Sequence, residues 1–526
     1  MNKFGRSFAK KGGGGLILPA ESPRNKAQVG WGYRGAHGGG RYLDWDVPDT
    51  SADAAISTGL GGLRARSRDQ VQNNPSAASA HQQYAAQLVG SGMMPRPLLK
   101  DSGLQREMME LWRVSCNEID ADGDSPFSGM QGIVAMGGFE AGETLARRRV
   151  RRIEDGLEVP LQVQLIEGDL LDHHYNRVLS NGNRIRQGIE SNRIGKKVAY
   201  HLFRSHPGDL FHAESTNNQR VPVPAKDMAH VFWKTRPGQR RGIPALSSAL
   251  LKLWKLDLYQ DAELERKAQA ARKVGFIVSQ FGEVDPNEVF PTDPDNVEET
   301  WIDVRDDYYG KAKGLGIQPG SWSLLGPGDD IRFNDPSDVG EMYEAHVHEV
   351  KREIAASGMI SFEQMTGDMR GVTYSSARVR LMDLRRYLEM QQLNMLAFMF
   401  CRRVWIWWLE AAVASRRLII PDFNTNRRKY TNVIWVPDAF DSVDPLKDAM
   451  SDLLEVRAGF DSRRNKAERR GRDMDTVNTE IERDNEVADT KGFVFDSDPR
   501  RTSDNGALQR VQQNQIDEMS QRNSDE

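Results

Sequence analysis

Two stretches and four histidines in this 526-residue chain are of types that could bind a metal or move protons. The run DADGDS, Asp120 to Ser125, begins like a calcium loop. Such a loop needs Gly at its sixth position for the sharp turn and Glu at its twelfth as a bidentate ligand. Those positions hold Ser125 and Gln131, so the run reads as a turn. HVHEV at 346–350 opens like a zinc-protease helix, in which a second histidine four residues on shares the face of the first. The residue four after His348 is Arg352, so the ligand pair is missing and these histidines read as helix-face residues. His173, His174, His201 and His206 lack ligand spacing. There is no G-x-x-x-x-G-K-[ST] phosphate loop and no G-x-S-x-G elbow. The expectation is therefore no catalytic residue, no cofactor and no metal. If the chain helps to move something, another chain supplies the nucleotide hydrolysis.

Cations are the next candidates. RRRVRR (147–152) could grip phosphate, but long basic side chains commonly line exposed strands, and a solvated strand face is the favoured reading. A later cluster, Arg463, Arg464, Lys466, Arg469, Arg470 and Arg472, falls on a short predicted helix and suits a nucleic-acid surface better. The net charge of -4 argues against general affinity for nucleic acid, which comes from neutralising phosphates. It leaves room for nucleic acid that slides past. Two cysteines, Cys116 and Cys401, make neither a disulfide framework nor a four-cysteine zinc site, and suit a reducing cytoplasm.

The elements that would position these residues change character along the chain. Residues 1–55 carry GGGG and GGG runs and read as a flexible arm. Residues 56–244 read as mixed α/β, with a helix over 71–92 and strands within 161–171, 196–206 and 228–235. Residues 245–273 have no Gly or Pro and predict a helix. Residues 283–307 hold ten acids and one base, Arg305. A second helix over 337–357 places Val339, Tyr343, Val347, Val350 and Ile354 on one face, with Glu341, Glu344, Glu349 and Glu353 towards the other. Gly358, Gly367 and Gly371 mark a loop. Residues 372–420 again lack Gly and Pro, and a helix over 375–415 would be roughly 60 Å long. Its far half, NMLAFMFCRRVWIWWLEAAV, is too interrupted by Arg402 and Arg403 to cross a bilayer, so protein must bury it and no membrane is expected.

Six stretches now come together. LGGLRARSRDQVQNNPSAASA (60–80), GIESNRIGKKVAYHLF (188–203), RPGQRRGIPALSSAL (236–250), LLGPGDDIRF (324–333), MTGDMRGVTYSSARVRL (365–381) and DSVDPLKDAM (441–450) resemble, in order, the portal proteins of lambda-like tailed bacteriophages. RPGQRRGIP and the TGD…YSSAR pair are the more specific. The Gly-rich arm has no counterpart in that pattern.

The resemblance implies an α+β portal fold assembled as a ring, a dodecamer, at one capsid vertex of the virion. Double-stranded DNA passes through the channel. The terminase large subunit docks on one side, and head-completion or connector proteins later take its place; major capsid and scaffold proteins surround it. Assembly takes place in the host cytoplasm.

It also divides the chain: arm 1–55, α/β wing 56–244, first stem helix 245–273, clip 274–336, second stem helix 337–357, channel loop 358–374, spine helix and returning wing strand 375–440, helical crown 441–492 and a polar, disordered tail 493–526. On that map Arg370 and Met369 face DNA, with Glu341, Glu344, Glu349 and Glu353 as acidic bands in the channel. Glu298, Glu299, Asp303, Asp306 and Asp307 offer a motor-docking surface. Arg463, Arg464, Lys466, Arg469 and Arg470 make a basic crown face. Arg402 and Arg403 would point to a groove or form inter-subunit ion pairs. The alternative reading is a phage-encoded hydrolase, a nuclease or protease acting during head maturation. A coiled-coil scaffold fits less well, since the spine lacks a sustained heptad.

Overall fold

The computed structural model describes residues 49–209, 219–271, 275–277, 322–324, 342–358, 360–438 and 444–495. The unit Ala52–Glu526 opens with two helices, α1 (Ala52–Asn73) and α2 (Pro75–Val89). The single helix expected over 71–92 is corrected here. Asn74 sits in extended geometry and its side chain accepts from the N–H groups of Ser76 and Ala77, while Pro75 takes the first-turn position where its missing N–H costs nothing. Helix α1 begins at Ala52, within the residues read as the arm, the rest of which lie almost wholly outside the described residues.

Helices α3 (Ser102–Ser115) and α4 (Phe127–Glu140) come next in the chain, and then a three-stranded antiparallel sheet. Its strands are β2 (Glu143–Val150) in the centre, β3 (Leu161–Glu167) and β9 (Met228–Phe232). A five-stranded antiparallel meander runs from β4 (Arg177–Val178) through β5 (Arg184–Arg186), β6 (Ile189–Ser191) and β7 (Lys197–Phe203) to β8 (Arg220–Pro224). The three expected strand regions are β3, β7 and β9. A short pair, β1 (Met94–Pro97) and β12 (Val433–Val436), brings the far end of the chain back to its beginning.

Helix α5 (Leu250–Ala271) and helix α6 (Met342–Gly358) are separated in sequence by a short parallel pair, β10 (Gly275–Ile277) and β11 (Trp322–Leu324). After the single turn of α7 (Phe362–Thr366), Tyr374 to Ala414 is one helical rod. It consists of α8 (Tyr374–Gln391), a π segment (Gln392–Cys401) and α9 (Arg402–Ala414). The π segment holds an extra residue per turn, so it re-aims the apolar stripe between the two α-helical parts. Buried glutamines stand at the junction: Gln392 donates to the Leu88 carbonyl at 2.8 Å, and Gln391 accepts from the Tyr84 hydroxyl at 2.7 Å. No helix among the described residues is long and apolar enough to cross a membrane.

The tryptophans of the rod belong to the core. Trp405 and Trp408 meet Trp112 of α3 at 5.2 and 5.0 Å between ring centroids, both edge-on. Such pairs add about 0.5–1.5 kcal/mol beyond their burial. The indole N–H of Trp112, Trp405 and Trp408 finds no conventional acceptor, and edge-on rings are the surroundings it has instead. Arg402 lies exposed over the Phe398 ring at 5.3 Å, and Arg403 is exposed beside it.

The RPGQRRGIP stretch crosses over the turn between α4 and β2 at very close range. Gly142 has φ +85, and a Cβ there would strike the backbone of Ile243; a Cβ on Gly242 would strike the Gly142 carbonyl. Gly242→Ala is accordingly expected to lose more than about 4 kcal/mol or all soluble protein. Gly238→Ala, at a φ of +80 but in open space, should cost only about 1 kcal/mol. Urea titration of both variants checks this, and near-equal losses would refute it.

Candidate functional site

None of the motifs weighed first becomes a reaction centre among the described residues. The Asp120 carboxylate accepts from the N–H groups of Asp122, Asp124 and Ser125 at 3.1–3.2 Å, which makes DADGDS a self-capped turn. His346 packs edge-on to Tyr259. The fold does bring His206 to Glu167 and Asp169, with donor atoms within 4.8 Å of one another, although sequence spacing did not suggest it. Arg68 already stands there, 2.6 Å from Asp169 and 3.5 Å from Glu167, so a cation occupies the acidic side. RRRVRR is a paired strand face: Arg148 bonds Glu410 of α9 at 2.7 Å, Arg149 donates to Gln164 and Arg151 to Gln162.

The most heavily built cluster is one that local sequence pattern did not reveal. Glu143, at the start of β2, is fully buried. Its Oε1 accepts from Arg64 of α1 and Arg241 of the RPGQRRGIP stretch, both at 2.7 Å. Its Oε2 accepts from the Gly242 N–H at 2.7 Å and meets His230 Nε2 at 2.9 Å. Arg241 also donates to the carbonyls of Gly168 and Gln187, and Arg64 to that of Ala141. Burial pushes the Glu143 carboxyl up, but the guanidiniums of Arg241 and Arg64 override it and hold the group well below its usual range. Burial takes His230 the other way, down to about 4, against the pull of Glu143. A neutral ring suits the site, because His230 Nδ1 is buried with no partner. Partners 79 and 98 residues away cannot be read from spacing. The available signal was the pair of family-like stretches holding Arg64 and Arg241.

The second cluster fixes the loop after α6. That helix packs antiparallel to α5: Tyr259 stacks on Tyr343 at 5.7 Å, and Lys252 pairs with Glu353 nearer the other end. Arg370 reaches Glu344 at 2.6 Å and Asp368 at 2.8 Å, with His348 at 3.3 Å. The hydrogen bonds from Arg370 hold the Asp368 carboxyl well below its usual range. Met369 is 63% exposed next to it. The described acids expected to form unbalanced bands each have a cation of the same chain: Glu344 has Arg370, Glu349 has Arg352, and Glu353 has Lys252. Glu341, Glu298, Glu299, Asp303, Asp306 and Asp307 lie outside the described residues.

The Arg370→Ala variant should therefore loosen the loop first. Amide hydrogen exchange across 361–373 is expected to quicken about tenfold, while the melting temperature moves little, because exposed ion pairs contribute little to global stability. Unchanged exchange together with lost DNA retention would put the arginine on DNA instead.

In the expected basic face near the C-terminal end, one residue turns inward. Lys466, in the helix Arg463–Arg469, is buried and bonds Asp452 at 2.8 Å, Glu455 at 2.5 Å and Asp461 at 3.5 Å. A long cationic side chain among three carboxylates is held inward. Arg464 pairs with Asp475, Arg469 with Asp461, and Arg470 with Asp452. Arg463 is exposed.

What these clusters do chemically is hold helix ends and loops in register. The elements they join make an α+β fold. Comparison with known proteins says which one. The family described as "Phage portal protein, lambda family" matches residues 38–392, and the chain belongs to it. The "Probable portal protein" of Halomonas phage phiHAP-1 is 30% identical over 325 residues, 61% of this chain and 59% of that protein. The "Portal protein" of Escherichia phage N15 is 25% identical over 480 residues, 85% of this chain and 88% of its own. A chain from the solved structure "Neck of empty GTA particle computed with C6 symmetry" aligns over 81% of this chain and 95% of its own, at 14% identity and a TM-score of 0.42. Nothing in these comparisons supports the hydrolase alternative.

Proposed function

We propose that twelve copies of this chain close into a ring at one vertex of the capsid, and that double-stranded DNA enters and leaves through its centre. Residues 274–336 dock the terminase large subunit during packaging in the host cytoplasm, and head-completion proteins later. Capsid and scaffold proteins contact the α/β part. Family membership supports the portal role; one observation in this chain carries self-association. Helix α5 is apolar on two sides. Leu250, Leu253 and Leu256 are buried in their own chain, whereas Leu251, Trp254 and Leu258 are 61%, 51% and 49% exposed. A helix with apolar stripes on two sides needs a second surface to cover the outer one. The outward stripe falls at helical spacing, and a second copy can cover it. A contact between two different patches of identical chains gives a ring when its rotation closes.

Native mass measurement and axial views in the electron microscope test this. The expected result is a closed ring near twelve copies, without ATP turnover of its own until a separate packaging ATPase is added. A persistent monomer, or robust turnover by the isolated ring, would defeat the reading.

A further inference from the structure

The helix Pro445–Arg457 is oriented opposite to an ordinary surface helix. None of its residues is buried. Its acids face their own chain: Asp448 pairs with Arg378 at 3.4 Å, Asp452 with Arg470 at 2.8 Å, and Glu455 with Lys466 at 2.5 Å. Its apolar residues face out, with Leu446 76%, Met450 58% and Leu454 61% exposed at spacings of four. Phe460, 85% exposed just past Gly459, adds a ring to the same groove of about 700 Å³. Ion pairs thus hold an apolar groove open towards solvent.

A matching plug stands elsewhere on the chain. Phe493, Val494 and Phe495 are 53%, 48% and 51% exposed, and the two phenyl rings lie 6.4 Å apart. They come directly after Gly492, whose φ of +71 ends the helix Met474–Lys491, and the Phe493 N–H is tied to the Ala488 carbonyl. The triplet is therefore held at a helix end, outside the groove of its own chain.

We propose that Phe493–Phe495 of one copy fill the Leu446–Met450–Leu454–Phe460 groove of the next. The proposal rests on the ring reading, since it needs copies side by side. Each copy then gives one plug and takes one, as a heterologous contact requires. Lys491, exposed and without an ion pair among the described residues, precedes the plug. Size agrees: Leu446, Met450, Leu454 and Phe460, each more than half exposed, make a contiguous apolar patch on the order of a few hundred Å², the scale of patches that mark interaction sites. That is less than the ~800 Å² per partner of a standard interface, so the plug is one part of a larger ring contact.

Cross-linking tests it. Met450→Cys and Phe495→Cys are made in separately tagged chains, co-expressed, assembled and oxidised, beside the parent chain with only its native Cys116 and Cys401. A two-chain disulfide species formed only in the mixture is expected. The double substitution Phe493→Ser with Phe495→Ser should raise the concentration for half-assembly about tenfold, with an unchanged monomer circular dichroism spectrum. Three outcomes overturn the proposal. One is a disulfide formed within a third, doubly substituted chain carrying both cysteines but not between the two singly substituted chains, which would mean the plug folds back on itself. Another is rings of normal mass with no cross-link, which leaves the ring reading standing. The third is a parent chain that forms no ring, which removes both.

Discussion

Replacing Glu143 by Gln is expected to cost about 3–5 kcal/mol of stability, because it leaves two buried guanidiniums facing a neutral amide. Urea titration of the full chain measures it, with Glu167→Gln as control: that carboxylate is 62% exposed and should change stability by under about 0.5 kcal/mol. A Glu143→Gln loss below about 1 kcal/mol would mean the cluster relaxes or admits water. The same cluster predicts a pH dependence. His230 ordinarily titrates near 6.5 and in the fold near 4. Between those values the unfolded chain takes up a proton that the folded chain refuses. Stability should therefore fall as pH drops from about 6.5 to 4, by about 3 kcal/mol for this residue, and flatten below. Glu143 acts in the same direction, since its carboxyl is depressed in the fold and its contribution fades in acid. His173, which burial also takes down to about 4, contributes in the same window, so His230→Asn should remove about half of the slope between pH 6.5 and 4; an unchanged slope would assign it to other groups.

Trp254→Glu on helix α5 is expected to stop ring formation while leaving the monomer folded. Trp254 is half exposed, so the substitution opens no cavity in its own chain. In an interface it would be a large anchor, of the kind whose loss costs 2 kcal/mol or more, and a buried, unpaired carboxylate adds to that. A rise of at least ~30-fold in the concentration for half-assembly is expected by analytical ultracentrifugation. Leu256→Glu serves as contrast. That side chain is 5% exposed within its own chain and should damage the fold itself. Rings formed normally by Trp254→Glu would place the contact on another face.

The position and type of the long elements were legible in the sequence. An uninterrupted run of helix formers is a local property, so 372–420 announced the rod that runs from Tyr374 to Ala414. Strand β3 was legible for the same reason, because alternation is read between neighbours, and β7 and β9 as short runs rich in apolar residues. The family, too, was written in short stretches such as RPGQRRGIP and TGD…YSSAR. The sequence also excluded a bilayer span in the rod, since Arg402 and Arg403 break the apolar run.

The tertiary structure alone decided what the charges do. Lys466 looked like part of a basic face until the fold placed Asp452, Glu455 and Asp461 around it. Glu344 and Glu353, read as part of acidic bands, are joined by Arg370 from a loop and Lys252 from a second helix. Glu143 gave no signal at all, because its partners sit 79, 87 and 98 residues away. The physical reason is range. Helix and strand preferences are settled within a few residues, and a sequence shows its neighbours directly. An ion pair depends on which side chains meet within about 4 Å and how much water they lose, and only folding sets either quantity.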